Sequence, residues 1–302
     1  MKKNQASLTS LISSFGRAYH SQFDKPKIFN DTIAIKLMTT EEYNQITDYM
    51  ISGLGFFNSD KENEFDDSKE ILKWVVQTQV EPTPIARARY CEDKLKDSIA
   101  HGIEQYVILG AGMDTFAYRN LDLSDNVQIF EVDHPDTQNF KIDRVNMAGL
   151  DIPKNLHYVP MDFTQDILFD ELKRYGFSTE KRTFFSWLGV TYYLSSEQNI
   201  NMLNTISAIS PKGSLIIFDY ADENLFKSNI KRVKNMVTLA QGCGEPMKSC
   251  YSYDELKHLL NENNFSLTEH LTSDAIEKKF FDNRNDYLHA FENINYALAV
   301  VR

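Results

Sequence analysis

The chain has 302 residues, of which 42% are hydrophobic and 25% charged, with 12 Gly and 8 Pro. That balance excludes a disordered, collagen-like or low-complexity protein. The formal net charge of −11 argues against nucleic acid, which is held by clustered Lys and Arg, and against an anionic membrane surface as partner.

At roughly 150 residues per domain, the length admits two domains or one α/β core with an appendage. Cys91, Cys243 and Cys250 show no CxxC spacing, so neither a disulfide framework nor a zinc knuckle is supported. The opening Met-Lys-Lys is not followed by an apolar signal segment. No run approaches the ~18 apolar residues of a membrane span. A cytoplasmic protein with reduced thiols is the expectation.

Residues 1–80 read as mostly helical and rich in aromatics, with no βαβ pattern, and form an amino-terminal appendage or lid. The acidic run over 61–70 reads as a solvated face. The core, over 81–302, opens with a helix. Thr83 is placed to N-cap it, with Pro84 at its first position, where a missing N–H costs nothing. Ile85, Ala88, Leu95 and Ile99 give that helix one buried face, and Gly102 can end it.

An apolar run over 106–109 then reads as a buried parallel strand that ends in Gly110-Ala111-Gly112. Further strands are expected over 127–132, 157–161, 183–187 and 214–219. A helix from Pro135 to about Met147 follows the second. Ser195 with Gln198 and Ser252 with Glu255 are capping boxes that open two more helices. Residues 221–250, with Gly242-Cys243-Gly244-Glu245-Pro246, interrupt the pattern and read as an insertion over the site. Two more strands are expected near 265–270 and 295–300. Strands alternating with helices predict an α/β fold, a mostly parallel doubly wound Rossmann-like sheet. Its ligand belongs outside the carboxyl ends of the strands.

Polar or glycine residues stand at those ends. The glycine turn lets backbone approach a ligand closely. A dinucleotide GxGxxG would need Gly at 115, where Thr115 stands. Asp133 lies 21 residues beyond Gly112, where an acid accepts hydrogen bonds from a ribose diol. Asp162 and Phe163 could meet an exocyclic amine and a base face. Arg87 and Arg89 could pair with a ligand carboxylate. There is no GxSxG elbow, no Walker sequence and no HExxH spacing, so hydrolase, nucleotide-phosphate and metal chemistry are not indicated.

Several of these stretches together resemble the leucine carboxyl methyltransferase family of class I S-adenosylmethionine-dependent O-methyltransferases. They are residues 87–93 (RARYCED), 106–119 (YVILGAGMDTFAYR), 130–135 (FEVDHP), 185–194 (FSWLGVTYYL) and Gly244-Glu245-Pro246. Arg17-Ala-Tyr-His-Ser21 and Phe29-Asn-Asp31 are similar to bacterial members.

The resemblance implies S-adenosylmethionine as cofactor. Arg87 or Arg89 would hold its methionine carboxylate, with Arg87 favoured. Gly110, Ala111 and Gly112 would pass beneath it, Asp133 would take the ribose, and Asp162 and Phe163 the adenine. Eukaryotic members carry a Glu after the fourth strand for the cofactor's amino group. Leu188 stands there in this chain, so a backbone carbonyl near Trp187 would replace it. Tyr19, Tyr192 and Tyr193, with His20 and Glu245, are candidates for the acceptor pocket. The acceptor is expected to be a small-molecule carboxylate or hydroxyl. A protein C-terminus, a nicotinamide-dependent oxidoreductase and a non-catalytic nucleoside-binding protein are the alternatives.

Overall fold

The structure is a computed structural model, and it describes residues 7–61, 64–123, 127–163 and 165–302. Residues 62 and 63 of the acidic run, and the first six residues of the appendage, lie outside the described residues.

The amino-terminal part is helical. Ser7 caps α1 (Leu8–Phe23) by accepting from the Ser10 amide, and Thr39 with Glu42 forms a capping box for α2 (Thr40–Ser52). The short α3 (Leu54–Asn58) and α4 (Ser68–Val75) follow. Phe15, Tyr19, Ile46, Leu54, Phe57 and Trp74 are among the residues of an apolar cluster belonging to this part.

The amino-terminal part is not joined to the core by a loop. A π-helical turn, Val76–Val80, runs on through Glu81 into α5 (Pro82–Ala100). Glu81 itself has helical dihedrals. No cap is therefore needed, and Thr83 lies inside the first turn instead of capping it. Pro82 and Pro84 are both tolerated there because first-turn N–H groups lack intrahelical partners.

The core then alternates. In order come β1 (Gln105–Leu109), α6 (Phe116–Arg119), β2 (Gln128–Asp133), α7 (Pro135–Met147), β3 (Leu156–Pro160), α8 (Leu168–Arg174), β4 (Thr183–Trp187), α9 (Ser196–Ile209) and β5 (Leu215–Ala221). Residues 221–250 contain a helix, α10 (Lys231–Gly242), and α11 (Tyr253–Glu262), β6 (Phe265–Leu271), α12 (Ser273–Ile276) and β7 (Ile294–Val301) complete the chain. The capping boxes at Ser195 and Ser252 form as the sequence predicts.

The sheet order is β3-β2-β1-β4-β5-β7-β6. The first five strands are parallel, and β7 pairs antiparallel with both β5 and β6. Alternation along β1 feeds two cores. Tyr106 and Ile108 face the layer that holds α5 residues Ile85 and Leu95, whereas Val107 and Leu109 face the layer with Leu172 and Leu203. The chain order reverses between β1 and β4, and a doubly wound sheet opens its ligand crevice at that switch point. No helix among the described residues is long and apolar enough to cross a membrane.

Candidate functional site

A cavity of about 480 Å³ opens at the carboxyl ends of β1, β2 and β4, within the usual range of about 300–1,000 Å³ for ligand sites. One wall is the glycine turn. Gly110 has φ +73°, and a Cβ there would collide with the Val190 side chain. Only glycine allows the turn after β1 to approach the loop after β4 so closely.

Asp133 ends β2 at the edge of this wall. Its carboxylate accepts from the backbone amides of Gly112 and of His134 (2.6 Å), one per oxygen. Each oxygen keeps a lone pair for a ligand hydroxyl. Burial raises its pKa, partly offset by those two backbone donors. Asp162 and Phe163, after β3, are half-buried and line the same end; the Asp162 carboxylate also accepts from Gln165 (2.6 Å).

The two arginines separate. Residues two apart on a helix point roughly 200° apart. Arg87 lines the cavity, while Arg89 is turned to solvent, paired with Asp93 (2.8 Å). Arg87 Nη1 donates to the Asp219 carboxylate (2.9 Å) and to the Tyr192 hydroxyl (3.1 Å). Asp219 is fully buried on β5 and keeps the guanidinium protonated against the opposing effect of burial.

Gly189 (φ +73°) lies against this guanidinium. A Cβ there would stand 2.5 Å from Nη2 and 2.6 Å from Nη1, so any side chain would displace Arg87. Trp187 is buried in the core and does not line the cavity; its neighbour Leu188 does.

Tyr192 and Tyr193 both line the cavity, and burial pushes both phenols well above their ordinary pKa. Tyr19 does not reach it. Its ring packs in the amino-terminal cluster, 4.7 Å from the Phe23 ring centroid. His20 is buried beside Asp24 and is likewise outside the lining. Glu245 lines the cavity and accepts from the hydroxyls of Ser7 (3.2 Å) and Thr9.

The support beneath the glycine turn comes from residues outside the strand ends and the α5 face. Arg17 on α1 donates to the Met113 carbonyl (2.6 Å) and to Asp31 (2.9 Å). Asp31 also accepts from the Thr115 hydroxyl (2.7 Å), which in turn accepts from Arg119 (2.8 Å). Burial raises the Asp31 carboxyl, but Arg17 and Arg119 outweigh it and hold the group below its ordinary pKa. The available signal was the spacing of Arg17 and Asp31 in stretches that already resembled the family. Thr115, read only as a missing glycine, has this positive reason to be a hydroxyl.

Comparisons with known proteins identify the family of the chain and likenesses to its fold. The family model described as leucine carboxyl methyltransferase matches residues 10–207. YktD of Bacillus subtilis (strain 168), provisionally named an S-adenosyl-L-methionine-dependent methyltransferase, is 50% identical over 303 residues, 99% of each chain. A similarly named protein of Mycobacterium sp. (strain JLS) is 27% identical, covering 69% of this chain and 68% of its own.

Among solved structures, a provisionally described methyltransferase from Thermobifida fusca YX covers 100% of this chain and 96% of its own, with TM-score 0.57 at 12% identity. A DUF574 family protein from Streptomyces avermitilis MA-4680 covers 83% of this chain and 97% of its own, with TM-score 0.52 at 14% identity. These two likenesses concern the fold, the Rossmann-like α/β architecture expected from the sequence.

Proposed function

The chain belongs to the leucine carboxyl methyltransferase family, and on that premise we propose that it methylates a carboxylate oxygen of a small-molecule acceptor from S-adenosylmethionine. The donor set fits that cofactor. Arg87 matches a methionine carboxylate, Asp133 with its remaining lone pairs matches a ribose diol, and Asp162 and Phe163 match an adenine. Gly110 lets the turn pass close to the site.

When bound, the cofactor would supply an electrophilic methyl carbon on a sulfonium, with a neutral thioether as its leaving group when a C–O bond forms. The protein's share is alignment and exclusion of water, which together supply much of the rate in such a displacement. Helix α1, the α10 segment and Tyr193 enclose the far end of the cavity, where the acceptor would lie.

The observation favouring a carboxylate is the shortage of a base at that end. Tyr192 and Tyr193 are held protonated by burial and serve as hydrogen-bond donors. Glu245 takes two hydroxyl donors on one carboxylate oxygen, which anchors it to the first turn of α1. Among the described residues, the one histidine of the lining is His134, next to Asp133. A carboxylate is ionised at neutral pH and needs no base, whereas a hydroxyl does.

The test supplies methyl-labelled cofactor with a panel of carboxylic and hydroxylic acceptors, then treats the product with mild alkali. An ester releases labelled methanol. An alkali-stable labelled ether would overturn the carboxylate reading and leave methyl transfer standing.

A further inference from the structure

We propose that Asp219 is a positioning residue that aims Arg87 at the carboxylate of the bound cofactor, an inference that rests on the reading of the cavity as an S-adenosylmethionine site. Asp219 has no exposure and cannot itself touch a ligand in the cavity. Its carboxylate is turned on residues of the cavity wall. One carboxylate oxygen accepts from the Gly189 amide (2.6 Å); the other accepts from Arg87 Nη1 (2.9 Å) and the Tyr192 hydroxyl (3.4 Å). Its backbone carbonyl also accepts from the Thr191 hydroxyl (2.6 Å). The carboxylate therefore ties β5 to the loop after β4 and to α5 at one point.

The consequence lies in the geometry of a guanidinium, which is planar and carries five N–H donors. Asp219 and the Tyr192 hydroxyl both engage Nη1. With Nη1 so engaged, Nε and Nη2 form the side-on edge that can still pair bidentately with a carboxylate. Gly189, held by the same Asp219, lies against the two terminal nitrogens and restricts their plane. An arginine without these restraints would sample many rotamers and lose that entropy on binding. With them it is set before the ligand arrives.

The test compares two ligands on the full chain by calorimetry: S-adenosylhomocysteine, and 5′-methylthioadenosine, which has the same nucleoside but no carboxylate. Asp219→Ala should weaken S-adenosylhomocysteine about 10- to 100-fold, because Arg87 is no longer held for its charge-assisted contact with the ligand carboxylate, and leave 5′-methylthioadenosine unchanged. Asp219→Asn keeps the shape and should fold where the alanine variant does not. It should weaken S-adenosylhomocysteine severalfold, again without moving 5′-methylthioadenosine. Added to Arg87→Ala, either change should cost S-adenosylhomocysteine nothing more. Equal weakening of both ligands, or no weakening of either, would overturn the proposal while the cofactor reading stood. Failure of both ligands to bind the unaltered chain would instead remove the cofactor reading.

Discussion

The hydroxyl of Thr9 donates to the carboxylate of Glu245, 236 positions along the chain. Ser7 donates to the same oxygen (3.2 Å), and its backbone amide reaches Thr137 on α7 (3.3 Å). The first turn of α1 is thus tied both to α7 and to the segment after α10, and a Cβ at Gly112 would stand 2.9 Å from the Ser10 side chain. Glu245→Ala should release this turn. Amide hydrogen exchange at residues 11–14 should accelerate in the ligand-free chain, a measure of local opening. S-adenosylhomocysteine should also dissociate faster, about tenfold for the loss of hydrogen bonds to a charged group. Unchanged exchange would show that Glu245 does not hold the helix.

Arg87 and Arg89 should separate cleanly in binding. Arg87→Ala should reduce S-adenosylhomocysteine affinity by about 10- to 100-fold, since a half-buried charged donor is lost. It also strands Asp219, so the melting temperature should fall. Arg89→Ala removes an exposed i,i+4 pair with Asp93, worth about 0.3–0.5 kcal/mol, and should leave both affinity and melting temperature nearly unchanged. Calorimetry and thermal melts on the two variants settle which arginine serves the site.

Legibility followed local physics. The strands, the capping boxes at Ser195 and Ser252 and the acids at strand ends are written in short-range patterns, and they stand where the sequence places them. What escaped is set by contacts across the fold. Tyr19 looked like a pocket residue because it is a tyrosine near a family motif, yet its ring is spent on the Phe15 cluster. Asp219 lies inside β5, two residues before its end. That it reaches Arg87, 132 positions away, follows only once β5 and α5 are assembled. The start of α5 was misplaced because a π turn leads into it, and such turns carry no capping signature.

Stability should fall as pH rises from mildly acidic to neutral, through Glu131. This side chain lies fully buried on β2 against Lys141. Burial pushes its pKa up to about 7, against the partly compensating Lys141. A carboxyl whose folded pKa exceeds its unfolded value of about 4.5 binds more protons folded than unfolded between those values. Its contribution is full below about 4.5 and lost as pH rises through about 7. Asp133, also raised, acts in the same direction. Asp31, lowered by its arginines, has the opposite sign. Its contribution is present above the ordinary aspartate range and lost as pH falls through its lower folded value. Melting temperatures across this range should slope downward in the unaltered chain and slope less steeply in Glu131→Gln, where Asp133 and Glu81 still titrate in the same direction.

The joint between α1 and the start of α5 should depend on a proton and not on a metal. His20 Nδ1, Asp24 and Glu81 stand close enough to suggest an ion site. However, His20 Nε2 faces the Ile28 amide (2.8 Å) and must be the acceptor there. The ring proton therefore sits on Nδ1, donating to Asp24 (2.7 Å), and no lone pair remains at that nitrogen for a metal. Burial and the neighbouring Asp24 push Glu81 well above its ordinary pKa. Burial would raise Asp24 too, but His20, Glu81 and Gln77 hold it down by hydrogen bonding. Glu81 is thus biased toward its neutral form beside Tyr19, Tyr43, Arg284 and Asp286. Glu81→Gln preserves a neutral donor and should change stability by less than about 1 kcal/mol. Asp24→Asn removes the charged acceptor from a buried histidine and should cost about 1–3 kcal/mol. Urea unfolding measures both, and a chelator should leave the melting temperature where it was. A chelator-induced fall would establish a bound ion at this joint in place of the proton.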